Sequence, residues 1–473
     1  MFKTPITILT VALSGITPLI ADTTADAPPP SQEEIFDVQK IWNIHLSFTL
    51  ENWEAMEPKA GPRLGRRPNR SFLTGPEGGR NGIAAVLGYE FPEVHATLEF
   101  DDHHFHDVSV RYKGNGTFLS SRESLKRSFK IDLNDYVKGQ RLAGISQINL
   151  HNSVRDPSHM NEPLAYKLYR DARIPSPRTA YARLYITVPG KYDRKYFGLF
   201  NMVEDVGPPF VKANFEASDG ALFKPVTSNL FSDMGSEWSD YKQTYDPKGK
   251  LSEEQANRLI ATCKFFSESS DADFAARVSD YVDLDNFARY LAITVWLSDM
   301  DGILGPGQNY YIYLHPTSNK FMFIPWDQDQ SFGQFPRGSQ EQREQLSIHK
   351  PWNESNPFFE KMFEVKPFKS RYLAALKDIN ETIVQADQIS QLIRELANIL
   401  GEPVGEESAD RLAELNKAAS GETITTIMTG GRSRLIETKP IKMFIPRRQA
   451  SIGDQIAGRS QGVTTDRGSR RRR

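Results

Sequence analysis

Apolar residues recur along this chain with two periods, and the change of period divides it. Val94–Phe100, Val108–Tyr112 and Ser128–Leu133 alternate apolar with polar positions, the pattern of half-buried strands. Tyr181–Val188 and Tyr196–Glu204 read as a hairpin pair, and Ile35–Leu50 as a strand followed by a short helix at 51–56. Residues 156–172 predict a helix opening on Asp156 as N-cap, with Pro157 in its first turn. From 252 to 298 and from 356 to 400 the apolar spacing becomes helical, with a hairpin embedded at 309–325. Strands first and helices afterwards predict an α+β chain.

Between these elements the composition changes. Residues 22–34 are rich in Ala, Asp and Pro and read as a linker, and 57–82, rich in Gly, Pro and Arg, as an exposed loop. The first 21 residues resemble an export signal: Lys3, then the interrupted apolar run Ile6–Ile20, too short for a comfortable membrane span. A net charge of -2 gives no overall field to attract nucleic acid. Positive charge is nonetheless local, at Arg63, Arg66, Arg67 and Arg70 and in the tail 459–473, which predicts a basic disordered end. Cys263 is the single cysteine, so no internal disulfide forms, and its helical surroundings predict a small buried hydrophobe.

The candidate chemistry lies mainly in the middle of the chain. Asp299, Asp301, Asn309, Asp327 and Asp329 fall between short aromatic strand-like runs. Oxygen ligands on neighbouring strand ends suit a hard cation such as Mg2+, with phosphate as its remaining partner. A base, a metal-binding amide and a metal-binding acid are the kit of phosphoryl transfer. Asp327 and Asp329, two apart, point to one side in an extended backbone and repel unless a cation or a shared proton relieves them. Upstream, Lys113-Gly114-Asn115-Gly116 follows a strand and lets backbone N–H groups approach phosphate. Lys126, Ser128 and Lys130 share the polar side of the next strand, where a lysine can reach phosphates. His103, His104 and His106, flanked by acids, read as an inter-strand loop with weak metal-binding potential. No Gly-x-Ser-x-Gly, His-Glu-x-x-His or Cys-x-x-Cys supports the commonest hydrolase or redox routes.

With those residues in view, the chain resembles the CotH kinase family of atypical protein kinases over residues 94–335. The blocks in order are Val110–Thr117, Lys126–Lys130, Asp156-Pro157-Ser158 with Leu164-Ala165-Tyr166, Pro175–Thr179, and Tyr196–Phe200 ending in Glu204. Asn309–Tyr313 and Ile324–Gly333 are the most specific. The resemblance implies a two-lobed, kinase-like fold that uses ATP and Mg2+ or Mn2+ to phosphorylate a protein or another hydroxyl. It implies Asp301 as catalytic acid (Asp299 being the other candidate), and Asn309, Asp327 and Asp329 as metal ligands. Gly114, Asn115, and Lys126 or Lys130 would meet the phosphates, and Glu204 the adenine connector. Residues 22–93 would be an N-terminal extension and 336–458 a helical continuation of the larger lobe. Departures from the family pattern include Gly116-Thr117 for two serines, Arg127 for a second lysine and Asn161 where arginine is common. A non-catalytic exported kinase-like protein is the main alternative. A sugar-nucleotide transferase using Asp327-x-Asp329 leaves the Gly114 and Lys126 blocks unexplained.

Overall fold

In this computed structural model the described residues are 30–62, 71–217, 219–352, 355–428 and 434–465. The export-signal segment, the arginines of 63–70 and the arginines beyond 465 lie outside them. Seven strands form a closed barrel: β1 Ile41–Ser47, β2 Val94–Phe100, β3 His103–Tyr112, β4 Phe129–Asp132, β5 Gln147–His151, β6 Thr179–Val188 and β7 Tyr192–Glu204. Around the barrel the order is β1-β2-β3-β4-β5-β7-β6. Closure is by the parallel pair β1 and β6, in register from Ile41↔Tyr181 to Ser47↔Thr187. The alternation explains the filling: Ile44, Leu46, Leu98, Phe100, Val110, Phe129, Ile131, Leu150, Leu184 and Phe200 are all buried in one interior cluster.

Strand β3 begins nearer the N-terminus than its apolar pattern implies. A two-residue turn at Asp101-Asp102 pairs Phe100 with His103, so His103, His104 and His106 lie on a strand and not in a loop. Residues 71–82 also depart from expectation: Leu73 and Thr74 are buried, and the segment crosses to the helical body.

The larger body is built around the buried helix Leu284–Trp296, which packs against the helix Lys366–Asp378. Asp283 caps it by accepting from the N–H groups of Asp285 and Asn286. A second sheet, β11-β10-β8-β9, contains β8 Ala221–Phe223, β9 Pro247–Lys248 and the expected hairpin of β10 Tyr310–Leu314 and β11 Phe321–Pro325. Cys263 is buried as expected, with Sγ 3.3 Å from the Tyr245 hydroxyl, and burial pushes its thiol up to about 12. The chain beyond 335 is helical as expected and adds the hairpin of β12 Ile424–Met428 and β13 Arg434–Thr438. Among the described residues no helix is long and apolar enough to cross a membrane.

Two polar contacts tie the C-terminal helices to the rest. Glu407, ending the helix Ala386–Glu407, accepts from the Leu199 N–H at 2.6 Å and from the Lys126 ammonium. Gly198 permits this approach, since a Cβ there would stand 2.7 Å from the Glu407 carboxylate, and its φ is +120°. The second contact is Arg448, fully buried on the helix Ile441–Ile456. It donates to the carbonyls of Val295 (2.8 Å), Trp296 (3.2 Å), Glu344 (3.2 Å) and Leu346 (2.7 Å). Two of these end the central helix, where carbonyls have no partner within the helix. Arg448→Met takes a donor from all four carbonyls, although Val295 keeps the Ser298 N–H at 3.1 Å and Leu346 keeps Gln455 Nε2 at 3.3 Å. In urea unfolding it is expected to cost about 3 kcal/mol or more, with Arg448→Lys recovering only part.

Candidate active site

The residues that matter chemically converge on a cleft of about 1070 Å³ between barrel and helical body. One wall is the polar side of β4 and β5. Ser128 and Lys130 face the cleft, as do Gln147, Asn149 and His151, while Phe129, Ile131, Ile148 and Leu150 fill the barrel. Period-two geometry sets this division. Lys126 shares the sequence parity of Lys130 but precedes the strand, which begins at Phe129, and so turns away to Glu407 and does not line the cleft. Lys130 donates to Asp205 at 3.2 Å.

Glu204 is likewise elsewhere. Its carboxylate accepts from the Arg178 backbone N–H and guanidinium at 2.6 to 3.0 Å, which fixes the end of β7. Its neighbour Asp205 lines the cleft instead. Burial alone would raise the Asp205 carboxyl, but Lys130, Asn149 and Lys113 hold it below its ordinary value.

Gly114 and Asn115 line the cleft at the turn after β3, Gly114 with φ +105°. The lysine before them proves central. Lys113 Nζ lies 2.9 Å from Asn149 Oδ1 and 2.7 Å from His151 Nε2, and burial with Lys130 and Lys224 nearby lowers its ammonium well below normal. Lys224, just after β8, stands over the rings of Tyr311 and Trp326 at 5.0 and 4.9 Å. Burial, then repulsion from Lys248, lowers it to about 7. Neither Lys113 nor Lys224 carries a motif strong enough to single it out as a site residue.

Opposite stand the acids. Asn309 and Asp327 flank the β10–β11 hairpin, and both adopt left-handed backbone, φ +59° and +56°. Such conformations in side chains larger than glycine mark positions the surrounding structure constrains. The Trp326 N–H donates to the Asn309 carbonyl at 3.1 Å, and the Asp327 N–H to the Tyr166 hydroxyl at 2.9 Å. Asp327 and Asp329 both line the cleft, although the turn at Asp327 breaks the extended run expected there. Burial and the charges of Asp327 and Glu162 raise Asp329 well above an ordinary carboxyl.

Asp301 does not itself line the cleft. It accepts from Gln308 Nε2 at 3.1 Å and from Asn309 Nδ2 at 3.3 Å, two residues that do. Asp299 sits deeper, 2% exposed, accepting from the Asp301 N–H at 3.1 Å and from Gln328 Nε2 at 3.2 Å. Burial raises Asp299 to about 6 and, with repulsion from Asp299 and Asp327, Asp301 to about 8.

Two members of the cluster have no counterpart among the sequence candidates. His151, Glu162 and Asp327 each offer a ligand atom, all within 4.8 Å of one another. No such group forms from His103, His104 and His106 among the described residues. His151 Nδ1 meets Glu162 Oε2 at 2.8 Å, and with Lys113 donating to Nε2 both ring nitrogens are engaged. Glu162 Oε1 is buried and has no hydrogen-bond partner. A carboxylate oxygen orphaned beside two further acids fits a hard cation.

Glu162 is brought there by a helix that starts later than its sequence signal, at Asn161. Asp156 still serves its first turn, accepting from the Asn161 N–H at 2.8 Å. Asn161, the departure from the family pattern, donates to the Asp329 carbonyl at 2.9 Å. The charge of Arg155 lowers Asp301 and Asp329, opposing the burial that raises them, and its Nη2 donates to Ser120.

Asp301 supplies a pH test. Its carboxyl holds a proton in the folded state that the unfolded chain releases near 3.8, so its contribution declines as pH rises from about 4 to about 8. Asp301→Asn should therefore gain on the wild type between pH 5 and pH 9, by at least about 1 kcal/mol in metal-free urea unfolding.

A family model described as CotH kinase protein matches residues 110–435. Inner spore coat protein H of Bacillus subtilis (strain 168) is 26% identical over 231 residues, covering 48% of this chain and 59% of the relative. Invasin CotH7 of Rhizopus delemar is 24% identical over 203 residues, covering 41% and 32%. The chain thus spans less than two thirds of either curated relative. A solved structure of the Shewanella oneidensis MR-1 toxin–antitoxin HipA, HipB and operator DNA complex aligns over 70% of this chain and 66% of that one. Its TM-score is 0.31 and its identity 11%. Because the family model covers well over half of its length, the chain belongs to the CotH kinase family.

Proposed function

We propose that this chain transfers the γ-phosphoryl group of ATP to a hydroxyl of a protein or a smaller acceptor, with Mg2+ or Mn2+. The observation that carries the reading is one cleft in which three buried or half-buried lysines face an acid cluster containing an orphaned carboxylate oxygen. Glu162 and Asp327 would hold the cation, with Asn309 and Asp329 completing the oxygen set and His151 steadying Glu162. Once bound, the cation offsets charge on the phosphate oxygens. Lys113, Lys130 and Lys224 bind and orient the phosphates, with Gly114 and Asn115 approaching through the backbone. Asp301, one layer behind the wall and bonded to Gln308 and Asn309, would reach the acceptor hydroxyl through a side-chain shift. It would take the proton once a bound cation offsets the repulsion from Asp327 that, added to burial and Asp299, keeps its carboxyl protonated, while Asp299 braces the loop. Export of the mature chain belongs to the same proposal.

Calorimetry and transfer of labelled phosphate test this reading. Wild type should bind ATP only with a divalent cation, and Asp327→Ala should abolish that binding. Asp301→Asn should bind within a few-fold of wild type yet turn over about 10²–10³-fold more slowly. Lys113→Ala should lose affinity, whereas Lys126→Ala should lower the melting temperature and spare binding. A folded wild type that binds no ATP with any divalent cation would leave a non-catalytic binding role.

A further inference from the structure

The segment 71–82 lies ahead of the family-matched residues and spans the cleft from barrel to helical body. It is fastened to Gln243, buried on the helix Trp238–Tyr245. Asn81 Nδ2 donates to the Gln243 carbonyl at 2.7 Å, Gln243 Nε2 donates to Asn81 Oδ1 at 2.9 Å and to the Gly79 carbonyl at 3.1 Å, and the Gly78 N–H donates to Gln243 Oε1 at 3.0 Å. At its other end Gly82 lies against Asn115, so closely that a Cβ would stand 2.1 Å from Oδ1. The strap therefore joins the glycine turn after β3 to the opposite body.

Arg80 is the side chain this strap presents. It lines the cleft, lies over the Phe91 ring at 4.2 Å, and donates from Nη2 to the Gly114 carbonyl at 3.3 Å. Its Nη1 is buried with no hydrogen-bond partner. Two charges act on it: Arg111, a like charge already paired with Glu93 at 3.1 Å, and more weakly Asp246, an acid already paired with Lys248 at 2.7 Å. A buried guanidinium with an unused N–H and a cationic neighbour is costly unless an anion completes it. Planar guanidinium groups match phosphate oxygens in geometry and charge.

We propose that Arg80 is a phosphate-binding residue of this cleft, delivered by a strap that lies ahead of the family-matched residues. The inference rests on the ATP reading for the source of the phosphate, and it makes the strap part of the ligand site. Because Arg80 also holds the Gly114 carbonyl, an anion bound there fixes the glycine turn as well.

The test uses the full chain, with inorganic tripolyphosphate and Mg-ATP as separate calorimetric probes of wild type, Arg80→Met and Arg80→Lys. Arg80→Met is expected to weaken both probes at least tenfold while its ligand-free melting temperature holds or rises, because an incompletely bonded guanidinium is removed. Arg80→Lys should recover part of the affinity. Equal affinity in wild type and Arg80→Met overturns the proposal, all the more if the melting temperature falls, which assigns Arg80 to the fold. Tripolyphosphate binding lost in Arg80→Met, in a protein that binds no Mg-ATP, would support Arg80 and sink the ATP reading. Mg-ATP bound equally by both would do the reverse, and a wild type that binds neither would overturn both.

Discussion

The placing of Asp299 and Asp301, and of the Asn309 side chain bonded to Asp301, depends on how the helix Leu284–Trp296 ends. Its last carbonyls are buried, and a buried carbonyl without a donor costs as much as a lost hydrogen bond. Arg448 meets Val295 and Trp296 from another helix, while the Ser298 hydroxyl donates to the Arg343 carbonyl at 2.7 Å. The chain can then leave the helix abruptly and present Asp299 and Asp301 within three and five residues of Trp296. Arg448 lies beyond residue 435, outside the family-matched region, so the support of this loop comes from a part of the chain without a motif.

The cleft is a balance of unfavourable groups. Its lysines lower one another, its carboxyls raise one another, and burial opposes both sets. Direct pairing relieves only part of this: Lys130 meets Asp205, Lys113 meets Asn149 and His151, and Glu162 keeps one oxygen unspent. Left-handed backbone at Asn309 and Asp327 is a further cost, borne where the hairpin is tightly seated. Under the proposed function, a polar site kept away from its own minimum would be preorganised for a ligand carrying both signs of charge, such as a metal-bound phosphate.

Alternation made most barrel strands legible, and the acid-rich hairpin stood out because several oxygen ligands cluster in a short span. Other parts were not legible, for identifiable reasons. Strand β5 is only five residues, and its polar set Gln147, Asn149 and His151 reads like ordinary strand polarity until barrel closure turns it toward the acids. Lys126 and Lys130 share a parity that holds only inside a strand, and Lys126 is outside it. Glu204 and Asp205 are adjacent, so the strand's exact end decides which one faces the cleft. Glu162 sits in a first turn that began five residues later than the Asp156 signal, because Asp156 caps across an intervening turn.

Glu407 gives the fold a further property. It grips the barrel at Leu199 and Lys126, while Gln243 grips the strap on the cleft side. Tyr196, donating to the Pro403 carbonyl at 2.9 Å, and Arg183, paired with Glu402, add to the first mooring. Ties on two sides leave no single hinge about which two lobes could swing open like a clam. Passage through the cleft would then be governed by side-chain rearrangement more than by wholesale parting of the two halves.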